Sequence, residues 1–230
     1  MKRLLLTLAL AAAAFPAAAS YDDGMAAYQR QDFVAAAKEF EPLAAAGDSR
    51  AQFSLAILHA RGEGVPKDFK KSQALFEAAA KQGYAPAQYQ LGRMLLSGSA
   101  GEKDASKAAE WFGKAAAQGD ALSNYALATL HHSGEGVKQD LGRAAGYARA
   151  AAEAGFPDAQ FMLGSQLYRG EGVPQDKSEG YYWIFLAAQA GMARAQSVLP
   201  QFLHEMPQEQ IMAAELKAST FVPKQPKQGD

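Results

Sequence analysis

Self-similarity at an interval of 36 residues constrains this chain more than any other feature, because a fixed period dictates how many units there are and how each must meet the next. Gly47, Gly83, Gly119, Gly155 and Gly191 each close an alanine-rich stretch, with no insertion between successive members. Eight residues after each stands a leucine: Leu55, Leu91, Leu127, Leu163 and Leu199. Two further columns keep the same register, Gly62, Gly98, Gly134 and Gly170, then Asp68, Asp104, Asp140 and Asp176. Asp32 falls on the aspartate register as well.

Each unit reads as two helices. In the stretch from Pro86 to Leu96, Ala87, Leu91 and Leu95 share one stripe, and Gly98 comes next as the residue type that accepts a left-handed C-terminal cap. The aspartate column then supplies side chains that accept hydrogen bonds from the free first-turn amides of a second helix. That helix carries a stripe such as Ala108, Trp111, Phe112 and Ala115 at helical spacing, and Gly119 stops it. No stretch alternates with period two, so no sheet is expected.

Small residues directly after the column leucines, Ala56, Gly92, Ala128 and Gly164, face alanines at 79, 115, 151 and 187 and let the paired helices approach closely. Neither helix can bury its stripe alone, so units must stack on their neighbours into an elongated all-α solenoid. Four full units are expected at 48–83, 84–119, 120–155 and 156–191. An N-terminal part-unit spans 21–47, and 192–219 forms a C-terminal part-unit with a capping helix. The proline-rich, polar residues 220–230 are expected to be disordered.

Residues 1–19 read as an address. Lys2 and Arg3 precede an apolar run from Leu4 to Phe15, and the small residues Ala17 to Ala19 form a cleavage site of the A-x-A type. The run is too short for a spanning helix, which needs about 20 apolar residues. Cleavage near Ala19 or Ser20 would leave a periplasmic or secreted protein, with no cysteine there to carry a lipid anchor. The absence of cysteine anywhere also excludes disulfides, thiolate nucleophiles and cysteine zinc sites. A net charge of −1, with no concentrated basic face, argues against nucleic acid as a partner.

The unit Ala159-Gln160-Phe161-Met162-Leu163-Gly164, Gly170-Glu171-Gly172-Val173, Asp176, Trp183, Ala187-Ala188 and Gly191 resembles the Sel-1-like repeat family, a relative of the tetratricopeptide repeats. Gly62-Glu63-Gly64-Val65 and Gly134-Glu135-Gly136-Val137 repeat its loop, whereas Gly98-Ser99-Ala100-Gly101 lacks the valine. The resemblance implies a right-handed superhelix that acts without catalysis or cofactor, as a scaffold or adaptor binding another protein or peptide along a concave groove. A cysteine-rich branch of that family is linked to β-lactam binding, a property that this cysteine-free chain gives no reason to inherit. The alternatives are a cell-wall- or β-lactam-directed binder or hydrolase, and a secreted effector that engages a host protein.

Candidate chemistry is sparse. The G-E-G-V loop matches no phosphate-binding pattern. His59 and His131 share one register on the core stripe two units apart, about 20 Å, too far to share a metal ion. No nucleophile elbow or triad pattern is present. A second apolar row is more informative. Phe53, Tyr89, Tyr125 and Phe161 stand two residues before the column leucines, about 160° around the helix from them. The same face carries Arg50, Ile57, Arg93, Leu96, Thr129, His132, Ser165, Tyr168, Arg169, Arg194 and Gln201. Aromatic and arginine side chains are common interface anchors, so these residues form the candidate binding surface. The row either packs between units or presents a ladder to a ligand.

Overall fold

A computed structural model describes residues 19–224, so the predicted signal peptide up to residue 18 and the last six residues lie outside the described region. The described residues form helices and no strand: α1 (Tyr21–Gln29), α2 (Phe33–Ala45), α3 (Ser49–Arg61), α4 (Phe69–Lys81), α5 (Ala85–Ser97), α6 (Ala105–Ala116), α7 (Ala121–Ser133), α8 (Leu141–Glu153), α9 (Pro157–Arg169), α10 (Lys177–Gln189), α11 (Ala193–Glu205) and α12 (Gln208–Ser219). From α1 to α11 each helix packs on its neighbours in the chain, whereas α12 passes over α11 and packs on α10. The architecture is the all-α solenoid that the period demands.

Capping sets the boundaries. Asp32, Asp68, Asp104, Asp140 and Asp176 each accept a hydrogen bond from the amide three residues on, at 2.9–3.0 Å, and so start α2, α4, α6, α8 and α10. The odd helices α3, α5, α7 and α9 end at Gly62, Gly98, Gly134 and Gly170, all left-handed. Their starts vary. Asp48 and Asp120 cap α3 and α7 with side chains, whereas Tyr84, Phe156 and Met192 occupy the same register without such a bond.

Two layers result. Contacts from Arg50 to Tyr21 and from Tyr168 to Phe202 join odd helices of successive units. An Arg149–Glu179 ion pair at 2.6 Å and the Tyr181–Glu215 hydrogen bond at 2.6 Å join even ones. Small residues bring the layers together. A Cβ on Gly92 would lie 2.6 Å from the Phe112 ring, and Gly164 and Gly180 face one another so closely that a Cβ on either would strike the other's carbonyl oxygen. Buried alanines and the rings of Phe40, Phe76 and Phe112 fill the seam.

Glutamines close the joints between units. Gln52, Gln88, Gln160 and Gln196 each donate to a carbonyl eight residues earlier, near the C-terminus of the preceding helix, at 3.0–3.3 Å. These carbonyls belong to the last helical turn, where intrahelical partners run out. Asn124 breaks the pattern and donates instead to the Asp120 carbonyl at 2.9 Å.

The glycine loops lie against the previous unit. A Cβ on Gly64, Gly136 or Gly172 would come within 2.3–2.4 Å of the backbone carbon of Phe33, Ala105 or Leu141, at the start of the previous even helix. Val65, Val137 and Val173 tuck in beside them, half-buried. His59 and His131 brace these loops, their Nδ1 atoms 3.1 and 3.4 Å from the Pro66 and Lys138 carbonyl oxygens.

Residues 220–224, expected to begin a disordered tail, instead run along the even layer. Phe221 meets Trp183 edge-on, the Lys224 amide donates to the Glu153 carbonyl at 2.8 Å, and its ammonium pairs with the Glu153 carboxylate. Polar composition points to a free tail, but the one aromatic in the segment finds an apolar seat. The backbone bond then fixes the chain as far as Lys224.

Candidate binding face

The odd-helix layer presents a face with hollows at its two ends. Near the N-terminus, Phe53 packs on Phe76 and on Tyr84, with ring centroids 5.6 and 5.4 Å away, beside a hollow of about 340 Å³ floored by Tyr21 and Met25. Ile57 separates this hollow from one of about 560 Å³ that takes in Arg93, Leu96 and Phe69. It opens beside the second unit's loop, where Ala100 and Gly101 replace the glycine and valine of the other loops. Arg50 lies over the Tyr21 ring at 4.5 Å and holds Asp48 at 3.3 Å.

Each ring of the aromatic row is partly packed and partly exposed. Phe53, Tyr89, Tyr125 and Phe161 are all half-buried. Tyr89 leans on Phe112 with Arg93 above it, and Tyr125 leans on Phe156 of the next unit at 5.0 Å. Phe53 and Tyr125 therefore seal joints to the next unit, against Tyr84 and Phe156, whereas Tyr89 packs on Phe112 within its own unit. Burial raises the Tyr89 and Tyr125 hydroxyls above their ordinary pKa. At Tyr125, Asp158 adds to that shift and Arg194 opposes it. Thr129 and Ser165 hydroxyls donate to their own helix at the Tyr125 and Phe161 carbonyls, 2.7 and 2.8 Å away, which occupies their protons.

The C-terminal hollow, about 410 Å³ between α7, α9 and α11, gathers Tyr125, His132, Phe161, Ser165, Tyr168, Arg169, Arg194 and Gln201. Here the guanidinium of Arg194 lies 4.9 Å from the centre of the Phe161 ring. Tyr168 forms one wall, fixed by hydrogen bonding to Glu205, which also pairs with Lys177 at 3.3 Å. Arg169 stands at the rim, paired with Glu171 at 3.5 Å. Arg50, Tyr89 and Thr129 border none of the hollows described, so the predicted row is brought together chiefly at its C-terminal end.

Sequence reasoning passes over Asp158, Glu171, Met192 and Gln166, which also border this hollow. A signal for Gln166 is present, since its register is apolar in every neighbouring unit. Among the described residues, no group of three or more histidine, cysteine or acidic side chains is placed to share a metal ion, and no helix is long and apolar enough to cross a membrane.

A family model described as the Sel1 repeat matches residues 49–84, 85–120, 121–156 and 157–192. Among solved structures, a Sel1 repeat protein from Oxalobacter formigenes is 27% identical, with 87% of this chain and 84% of that one covered and a TM-score of 0.74. A protein from Klebsiella pneumoniae subsp. pneumoniae described as a sel1 repeat protein is 21% identical, covers 79% of this chain and 90% of its own, and has a TM-score of 0.50. No curated protein matches the sequence. With four consecutive repeats matched across most of the solenoid, the chain belongs to the Sel1 repeat family.

Proposed function

We propose that this protein is an exported, non-enzymatic adaptor that holds a partner polypeptide along its odd-helix face, centred on the C-terminal hollow. Sel1 repeat proteins generally mediate protein–protein interaction and are generally not enzymes. The observation that carries the reading is the concentration of half-buried aromatics and outward arginines, Tyr125, Phe161, Tyr168, Arg169 and Arg194, around one hollow. Side chains of these types dominate binding energy where partner proteins meet. Export rests on the basic, apolar and small-residue order of residues 1–19. The role is that of an envelope adaptor, a regulator of a sensor, or an assembly scaffold.

Crosslinking in living cells tests the binding reading. A photoreactive residue at the exposed Thr129 position should capture a discrete partner. Tyr125→Ala with Arg169→Ala should reduce capture about tenfold or more while helical content, read by circular dichroism, stays unchanged. Unchanged capture would move the interface to another face. Export is tested separately by fractionation and N-terminal sequencing, with a mature terminus near Ser20 expected.

A further inference from the structure

The repeat supplies its own reference for Gln166. The same register holds Leu58, Met94, Leu130 and Phe202 in the other units, and every one of them is buried. Gln166 is enclosed to the same degree, 2% exposed, yet neither its Nε2 nor its Oε1 meets a hydrogen-bond partner among the described residues. A carboxamide withdrawn from water without partners works against folding, and leucine or methionine fits this register elsewhere. Gln166 borders the C-terminal hollow. In the same hollow, the guanidinium of Arg194 is held against Phe161 and pairs with no carboxylate among the described residues.

We propose that the hollow between α7, α9 and α11 recognises an extended peptide bearing a carboxylate, with Gln166 reading the main chain and Arg194 taking the acid. This rests on the odd-helix face being the partner-binding face. In an extended strand the N–H and C=O of one residue point the same way, as they do when two antiparallel strands exchange both bonds. One carboxamide satisfies such a pair, its Nε2 donating to the carbonyl and its Oε1 accepting from the amide. The guanidinium, steadied by the Phe161 ring, keeps its N–H edge free for a charge-assisted bond to a carboxylate. The volume, about 410 Å³, falls in the range of specific ligand pockets. Reaching the amide requires rim side chains to turn aside on binding, a change common at interfaces. The acid is supplied either by an aspartate or glutamate side chain or by a chain terminus.

Three immobilised octapeptide libraries test this with the purified chain: one with a fixed internal glutamate and an amidated end, one without acidic side chains but with a free C-terminal carboxylate, and one with neither. Wild type should retain one of the first two about tenfold over the third, which identifies the source of the acid. Gln166→Leu and Arg194→Ala should each lose that preference, while Arg143→Ala on the even layer keeps it. Gln166→Leu should also raise Tm by about 2 °C or more, because the register accepts leucine. A lowered Tm would mean the amide is satisfied inside the fold and would overturn the proposal. So would full retention by Gln166→Leu, which leaves the wider binding reading intact. Equal retention of all three libraries, or of none, also overturns it, and capture in cells then judges the wider reading independently.

Discussion

Gly172 and Gly101 are the same residue in corresponding loops, yet the structure assigns them opposite sensitivities. Gly172 has φ +75°, and an added Cβ would lie 2.3 Å from the Leu141 backbone, so it needs both the left-handed conformation and the empty space. Gly101 needs neither, with nothing within 4 Å of a Cβ. Gly172→Ala should therefore cost about 2–4 kcal/mol from the backbone conformation and the clash together, whereas Gly101→Ala should gain about 0.4–1 kcal/mol by restricting the unfolded chain. Urea unfolding of the two variants checks the pair. Glutamine shows a comparable contrast. Gln88 donates to the Ala80 carbonyl at 3.1 Å and accepts from Gln118 at 2.8 Å, so Gln88→Leu should cost about 1–3 kcal/mol. The same substitution at Gln166, where no partner is lost, is expected to stabilise. If Gln88→Leu proved neutral in urea, the bridge between helix ends would be dispensable.

At the scale of the helix, the aspartate caps make stability pH-dependent. Asp68 and Asp140 sit below the ordinary aspartate pKa of 3.8 chiefly because the Lys71 and Arg143 amides bond their charged forms, and Asp104 because of both the side chain and the amide of Lys107. A carboxyl whose pKa is depressed by folding binds protons more readily when unfolded. Its contribution is complete above 3.8 and is lost as pH falls through the lower folded value. Tm should accordingly stay level from pH 7 to 5 and drop below about 4. Asn caps as well as Asp does but does not titrate, so Asp68→Asn with Asp104→Asn and Asp140→Asn should flatten the acid limb in a calorimetric pH series. An undiminished slope would place the acid sensitivity elsewhere, for instance at Glu179, where bonds from Arg149 and Trp183 overcome the opposing effect of burial. These helices are legible from sequence because glycine, aspartate and the apolar stripe are local signals that repeat. The joints are not, because a glutamine that reaches a carbonyl eight residues back reads like any surface glutamine until the turn between the helices is folded. The aromatic row is legible as a row, but the joints that Phe53 and Tyr125 seal are not, since Tyr84 and Phe156, which pack on them, stand where other units place a capping aspartate.

Over the whole molecule, stability should be a sum of units and of the interfaces between neighbours, with the ends weakest. The C-terminal end has a specific cover. On α12, Ile211, Ala214 and Ala218 are buried, Tyr181 bonds Glu215 across to α12, and Phe221 closes over Trp183. Removing residues 207–230 uncovers the even side of α10 and forfeits at least the burial of one large aliphatic side chain, about 1.5–3 kcal/mol. The loss falls on the last unit first, because in a linear array each unit is supported only by its neighbours. Trp183 reports this place directly once Trp111→Phe has silenced the other tryptophan. In the full-length chain, Trp183 fluorescence and helical circular dichroism should change together in urea. In the truncated chain the fluorescence transition should move to lower urea and precede the loss of helix, because α1 to α8 keep their neighbours. The C-terminal hollow is built on α9 and α11 at that same end, so peptide retention should disappear with the fluorescence transition and not with the circular dichroism transition. If both signals still moved together in the truncated chain, cooperativity would span the array and the nearest-neighbour account of this solenoid would be wrong.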